Sequence, residues 1–138
     1  MSQLQASPYI NFQGKAREAM QFYQDALGGN VELIAFGENG APHPAQAGEA
    51  IMHAVLKADG ATIMGSDGMP QYPPKVGENV AIALSGEDEE RLTEAFNKLS
   101  VDAHVKQPLK IESWGDAFGW LEDKYGINWM VNINKSNA

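Results

Sequence analysis

The spacing of apolar residues changes period several times along the chain. In PYINF, Pro8 to Phe12, Ile10 and Phe12 alternate with Tyr9 and Asn11, a period of two that predicts a short strand. Gly14 breaks the run. From Lys15 the period lengthens, and Ala16, Ala19, Met20, Tyr23, Ala26 and Leu27 fall on one helical face. Gly28-Gly29 supplies the glycine that ends such a helix. Val31 to Phe36 predicts a second strand. Gly37 to Glu49, rich in glycine, alanine and proline, predicts a loop with His43 between two prolines. Ile51 to Ala58 and Ala61 to Ser66 predict a hairpin about Asp59-Gly60. Asp67 to Glu78 reads as a linker.

The order then recurs. Val80 to Leu84 predicts a strand, and Ser85 a helix start with Asp88 placed for a capping box. The acidic run Glu87 to Glu90 suits the first turn of that helix. Leu92, Ala95, Phe96 and Leu99 form its apolar face. Ala103 to Gln107 is strand-like but limited by Pro108, and Gln107 to Asp116 predicts a loop. Ala117 to Glu122 and Asn128 to Asn134 predict a closing hairpin around Asp123 to Gly126. The pattern is therefore β-α-β-β-β twice, an α+β domain of two modules, about 7–66 and 79–134, joined by a linker at 67–78. YINF can be laid on AIAL, and LKADGATIM on LEDKYGINWM.

Composition narrows the function classes. The 138 residues carry a formal net charge of −8, which argues against nucleic acid and against an anionic membrane as partners. There is no cysteine, which excludes disulfides, thiolate metal sites and cysteine nucleophiles. MSQLQASPYI has neither the basic nor the apolar region of a secretory signal, so a soluble cytoplasmic protein is expected. The glycine-containing loops match neither a phosphate-binding loop nor a dinucleotide fingerprint, and no cofactor-binding motif of a methyltransferase is visible.

With the words EAMQFYQDALGG and SWGDAFGWLEDKYGINWM, this order of elements resembles the vicinal oxygen chelate superfamily of glyoxalases, bleomycin-resistance proteins and extradiol dioxygenases. Within it the chain resembles the PhnB-like branch, some members of which are labelled demethylubiquinone methyltransferase-like. The resemblance runs from Pro8 to about Asn134. It implies two βαβββ modules in a curved mixed sheet, helices outside, a concave cavity, and a homodimer.

Metal-dependent members place histidine or glutamate ligands on the first and fourth strands of each module. The resemblance puts these positions at Ser7, Met64, Asn79 and Met130. Where members often carry glutamate after an Asp-Pro-x-Gly turn, this chain reads Asp123-Lys124-Tyr125-Gly126 and then Met130. Thioether, amide and hydroxyl donors do not make a zinc, magnesium or iron(II) site of this kind, so neither metal nor cofactor is expected.

His53, in a strand beside that site, is the candidate catalytic group, with Asp67, Glu49 or Glu112 as possible orienting partners. His43 and His104 read as surface residues. Tyr9, Trp114, Phe118, Trp120 and Trp129 are the aromatics available to a pocket or to the core, and Trp129 alternates with Val131 and Ile133 as core residues do. Asn128, Met130, Asn132 and Asn134 share the opposite face and, with Asn11 and Asn79, make a neutral, amide-rich lining. The expected ligand-binding set is Tyr9, Asn11, His53, Met64, Asn79, Trp114, Met130 and Asn132. The expected function is binding of a small organic molecule without the usual metal. The rival is a metal-dependent lyase, isomerase or dioxygenase with displaced ligands including His53, and a third reading is a scaffold whose dimer surface is the functional part.

Overall fold

A computed structural model describes residues 4–135, and the chain divides into two units, 1–75 and 76–138. The first contains β1 (Tyr9–Asn11), α1 (Ala16–Leu27), β2 (Asn30–Phe36), β3 (Pro42–Pro44), β4 (His53–Ala58) and β5 (Ala61–Ser66). The second contains β6 (Ala81–Gly86), α2 (Glu89–Leu99), β7 (His104–Ile111), β8 (Ala117–Glu122) and β9 (Asn128–Ile133). Each unit makes its own mixed sheet, in the order β1-β5-β4-β2-β3 for the first and β6-β9-β8-β7 for the second. In both, the first and last strands of the module lie side by side and parallel, and the other pairings are antiparallel. Two βαβββ modules of an α+β fold are thus present, with one short strand, β3, added to the first. Among the described residues no helix is long and apolar enough to cross a membrane.

One face of each sheet packs on its helix. On α1 the stripe Ala16, Ala19, Met20, Tyr23 and Leu27 is buried, against Phe12, Ala35, Ala54, Leu56 and Ile63 of the sheet side. Burial of a side chain such as Met20 or Leu27 contributes about 1.5–3 kcal/mol. The N-terminus of α1 carries no side-chain cap of its own at Lys15. Asp67, just past β5, supplies the acceptor instead: its Oδ1 takes the Ala16 N–H at 2.9 Å and its Oδ2 the Ile51 N–H at 2.7 Å. One carboxylate thereby ties helix, β4 approach and β5 together. On α2, Asp88 is the N-cap and its Oδ1 accepts from Arg91 N at 3.1 Å, while Ala95, Phe96 and Leu99 are buried. Trp129, Val131 and Ile133 of β9 lie buried on the helix side of the second sheet, as their alternation predicts.

Four local expectations are corrected. Ser85 does not start the helix: it and Gly86 continue β6, opposite Asn132 and Ile133, because Asp88 caps a helix beginning at Glu89. Pro108 does not end β7, which runs through it to Ile111 as an edge strand; register shifts at Val105/Gln107 and Gln107/Lys110 accommodate the residue that cannot donate. The loop Gly37–Glu49 contains the edge strand β3, whose His43 pairs with Ala35. Val80, expected to open the strand Val80 to Leu84, stands before β6 and is 76% exposed.

The His43 segment is held by Glu49. The carboxylate lies 3.0 Å from His43 Nε2 with both oxygens and accepts Gln46 N–H at 2.7 Å, while Arg17 donates to the Gln46 and Glu49 carbonyls. The Gln46 N–H, then His43, hold the Glu49 carboxyl below the usual carboxylate range. A lowered folded-state pKa favours the folded loop above the ordinary carboxylate range and loses that contribution as pH falls through the folded value. The Gln46 amide proton, followed by NMR, is therefore expected to titrate at a lower pH than the same glutamate in an unstructured peptide. A midpoint at or above the peptide's would show that the bond does not hold in solution.

Candidate functional site

Strand alternation leaves one face of each sheet away from its helix, and the expected site residues divide between the two. In the first unit the parallel ladder sets Tyr9 beside Met64 and Asn11 beside Ser66, and the next pairing sets Met64 beside Val55. His53 begins β4, two residues before Val55 and opposite Ile34. Tyr9, Asn11, His53 and Met64 therefore share a face, none of them fully buried. Tyr9 is 53% exposed, its hydroxyl lies 3.2 Å from His53 Nδ1, and the two rings stack with centroids 5.7 Å apart and planes 23° apart. Asn11 folds back, its Oδ1 accepting Gln13 N–H at 2.9 Å. Gly68, with φ +78°, holds a backbone conformation that favours glycine, and a Cβ there would displace the Asn11 amide.

Within the first unit neither Asp67 nor Glu49 turns to His53: Asp67 accepts from Ala16 and Ile51, and Glu49 accepts from Gln46 and lies against His43. The partner is Tyr9, whose place in the alternation was legible but whose reach across Met64 was not.

In the second unit Met130 pairs with Ala83 and Trp120, and Asn132 with Ser85 and Phe118. Asn132 donates to Asp116 Oδ2 at 3.1 Å and to Asn134 Oδ1 at 3.0 Å, so its amide hydrogens are engaged and its oxygen is the group left to a ligand. The Lys135 N–H, then Asn132, hold Asp116 below the usual carboxylate range. Trp114, 58% exposed, meets Phe118 edge-on at 5.9 Å. Asn79 stands apart: it precedes β6 and is exposed.

Lys106 was missed. Its ammonium sits 3.0 Å from Asn128 Oδ1, 3.2 Å from Glu78 Oε1 and 3.9 Å from Glu122 Oε1, and 4.6 Å from the centre of the Trp120 ring. The face expected to be neutral thus carries a cation already balanced by carboxylates. Lys106 stands between Val105 and Gln107 on an edge strand and reads from sequence as solvent-facing. A cavity of about 550 Å³ in this unit lies on the other side, lined by Phe96, Leu109, Ala117 and Ile133 among others. It includes no expected site residue, and strand alternation places the candidate face on the opposite side of the sheet from α2.

The ladders also adjust the internal repeat. Met64 lies opposite Tyr9 and Met130 opposite Ala83, so the parallel strands match Tyr9 to Ala83, two residues from the YINF-on-AIAL overlay. An even offset preserves which face each side chain takes. At the four positions where relatives of this fold hold a metal, the donors here are two thioethers, a hydroxyl and an exposed amide. Among the described residues no three His, Cys, Asp or Glu side chains come together. These residues do not fit a divalent ion of that class.

Known proteins share both fold and sequence with this chain. Residues 5–132 match the family described as 3-demethylubiquinone-9 3-methyltransferase, and the chain belongs to that family. The protein YjdN of Escherichia coli K12 is 30% identical over 94% of this chain and 95% of its own. The crystal structure of PA1353 from Pseudomonas aeruginosa superimposes with TM-score 0.81 at 34% identity, covering 96% of this chain and 98% of that one. A Bacillus cereus PhnB protein, a putative 3-demethylubiquinone-9 3-methyltransferase, follows with TM-score 0.75, 26% identity and coverage of 95% and 100%. A member of the glyoxalase/bleomycin resistance protein/dioxygenase superfamily from Sphaerobacter thermophilus shares the fold, with TM-score 0.56 at 18% identity over 95% of this chain and 98% of that one. The chain is thus a PhnB-like protein with the glyoxalase-type fold.

Proposed function

We propose that this protein binds a small organic molecule on the open sheet faces, without the divalent metal used by metal-dependent proteins of this fold. The observation that carries the reading is the pairing of Tyr9 and His53 beside Met64: an aromatic and a hydrogen-bonding group converge where a metal ligand would otherwise stand. An accessible face offering stacking, a thioether and a few placed polar groups suits a small ligand. In the second unit Met130, Trp114 and the Asn132 oxygen extend the same chemistry, and Asn79 belongs to the proposed lining only as a peripheral contact. The methyltransferase in the family description has no support in the donor set of either face. The proposal includes a cytoplasmic homodimer with neither nucleic acid nor membrane as partner, in keeping with the net charge of −8.

The test combines metal analysis of protein purified without chelator with a thermal-shift screen of small aromatic and carbonyl compounds. The expected result is substoichiometric metal and at least one compound that raises Tm in the wild type but not in His53→Ala. Near-stoichiometric zinc, nickel, manganese or iron, lost on His53→Ala, would sink the proposal in favour of the metal-dependent enzyme.

A further inference from the structure

The Tyr9–His53 contact assigns the protons at this site. Tyr9 Oη carries one hydrogen, and among the described residues its one hydrogen-bonding neighbour is His53 Nδ1, at 3.2 Å. A phenol is a stronger acid than a neutral imidazole N–H, and an imidazole lone pair is a better acceptor than a phenol oxygen. The favoured arrangement is therefore Tyr9 O–H donating to Nδ1. A neutral imidazole that accepts at Nδ1 must carry its hydrogen at Nε2. If the ring gains a second proton, Nε2 keeps the first, so this nitrogen donates in both states. A 180° flip of the ring would bring Cδ2, which cannot accept, against the Tyr9 hydroxyl in place of Nδ1, so the hydrogen bond selects this ring orientation.

We infer that His53 is a fixed hydrogen-bond donor through Nε2, positioned by Tyr9, and that the ligand is an aromatic compound bearing a carbonyl or carboxylate oxygen. The oxygen accepts from Nε2–H. The ring lies over Met64 and along the Tyr9–His53 stack, where a polarizable sulfur and two π faces favour a flat apolar body. The same proton assignment removes His53 Nε2 from the role of general base, which needs an unprotonated ring nitrogen facing the substrate. The ligand half of this inference rests on the proposed binding function, whereas the proton assignment stands without it.

Long-range ¹H–¹⁵N correlation spectra of the uniformly labelled protein test both halves. They are recorded at about pH 8, above the ordinary imidazole range, for the wild type and for Tyr9→Phe. The expected wild-type pattern is a protonated Nε2 and an unprotonated, hydrogen-bonded Nδ1, with Nδ1 moving toward the free-lone-pair position in Tyr9→Phe. A protonated Nδ1 in the wild type overturns the assignment, and leaves the thermal-shift screen to decide the binding function separately. Benzoate and benzylamine then serve as probes that share a ring and differ in hydrogen-bonding sense. Benzoate is expected to shift the Nε2–H signal and to bind at least about tenfold more weakly to His53→Ala, the loss of one good hydrogen bond. If benzoate leaves that signal unmoved, or benzylamine binds more tightly, the ligand class is wrong even where the screen finds other ligands.

Discussion

Asp123→Ala is expected to lower the unfolding free energy by about 3–5 kcal/mol. Asp123 is only 4% exposed, and its carboxylate accepts from three donors. Oδ1 takes Tyr125 N–H at 2.8 Å and Ile127 N–H at 3.0 Å, and Oδ2 takes the indole N–H of Trp129 at 2.8 Å. Trp129 is fully buried, so alanine removes the carboxylate to which its indole N–H donates. It also removes the side-chain acceptor of the Tyr125 and Ile127 amides, while the backbone bonds of residue 123 with Ile127 and Gly126 stay in place. Asp123→Asn keeps the shape but must aim an amide N–H at one of three donors, so it should fall between wild type and alanine. Urea unfolding followed by tryptophan fluorescence measures the difference, with the m-value expected to stay constant. A loss below about 1 kcal/mol for alanine would mean that these bonds are replaced by solvent and that Trp129 is less enclosed than it stands.

The turn shows what sequence could and could not supply. Asp123 and Gly126 were legible as pattern letters, and Trp129 as a core position from its alternation with Val131 and Ile133. That the first letter holds the third could not be read, since it depends on the turn bringing Oδ2 within reach of an indole six residues on. The same division holds elsewhere. Strand parity placed Tyr9 and Asn11 on a common face because period two is a local property, while Met64 came from the resemblance, with His53 in a strand beside it. It could not find the Tyr9–His53 bond, which spans β1 to β4 across β5. Asp67 read as the start of a linker because its two backbone partners, Ala16 and Ile51, are remote in sequence. Ser85 misled because two good helix-start residues stood three apart, and β-pairing with Asn132 decided between them. Pro108 misled because the rule against proline in strands is weakest at a sheet edge, where β7 lies.

Gly29→Ala is expected to cost about 3–5 kcal/mol, against about 1–3 kcal/mol for Gly28→Ala, and the contrast explains why FYQDALGG ends on two glycines. Both residues have positive φ, +78° and +87°, where a side chain is strained whatever the space around it. Gly28 closes α1 by donating its N–H to the Gln24 carbonyl at 2.7 Å, and a Cβ there would meet nothing within 4 Å. Its substitution therefore costs backbone strain alone. A Cβ on Gly29 would collide with the carbonyl oxygen of Lys57 and lie 2.7 Å from Ala58 Cα. These are backbone atoms at the end of β4, where Lys57 pairs with Asn30 of β2 and Ala58 with Ala61 of β5, so they cannot move aside without opening the ladders. The second glycine is thus a packing requirement of the β2–β4 pair added to the conformational requirement of the helix end. Thermal unfolding of the two single variants tests this directly, and the alanine at 29 should also weaken amide-exchange protection at Lys57 and Val31 while the alanine at 28 leaves it intact. Equal losses at the two positions would leave only the turn conformation as the reason for the pair. A larger loss at 29 makes the motif a statement about how the first strand after the helix finds its partner, which is the step that sets the register of β4 and therefore the place of His53.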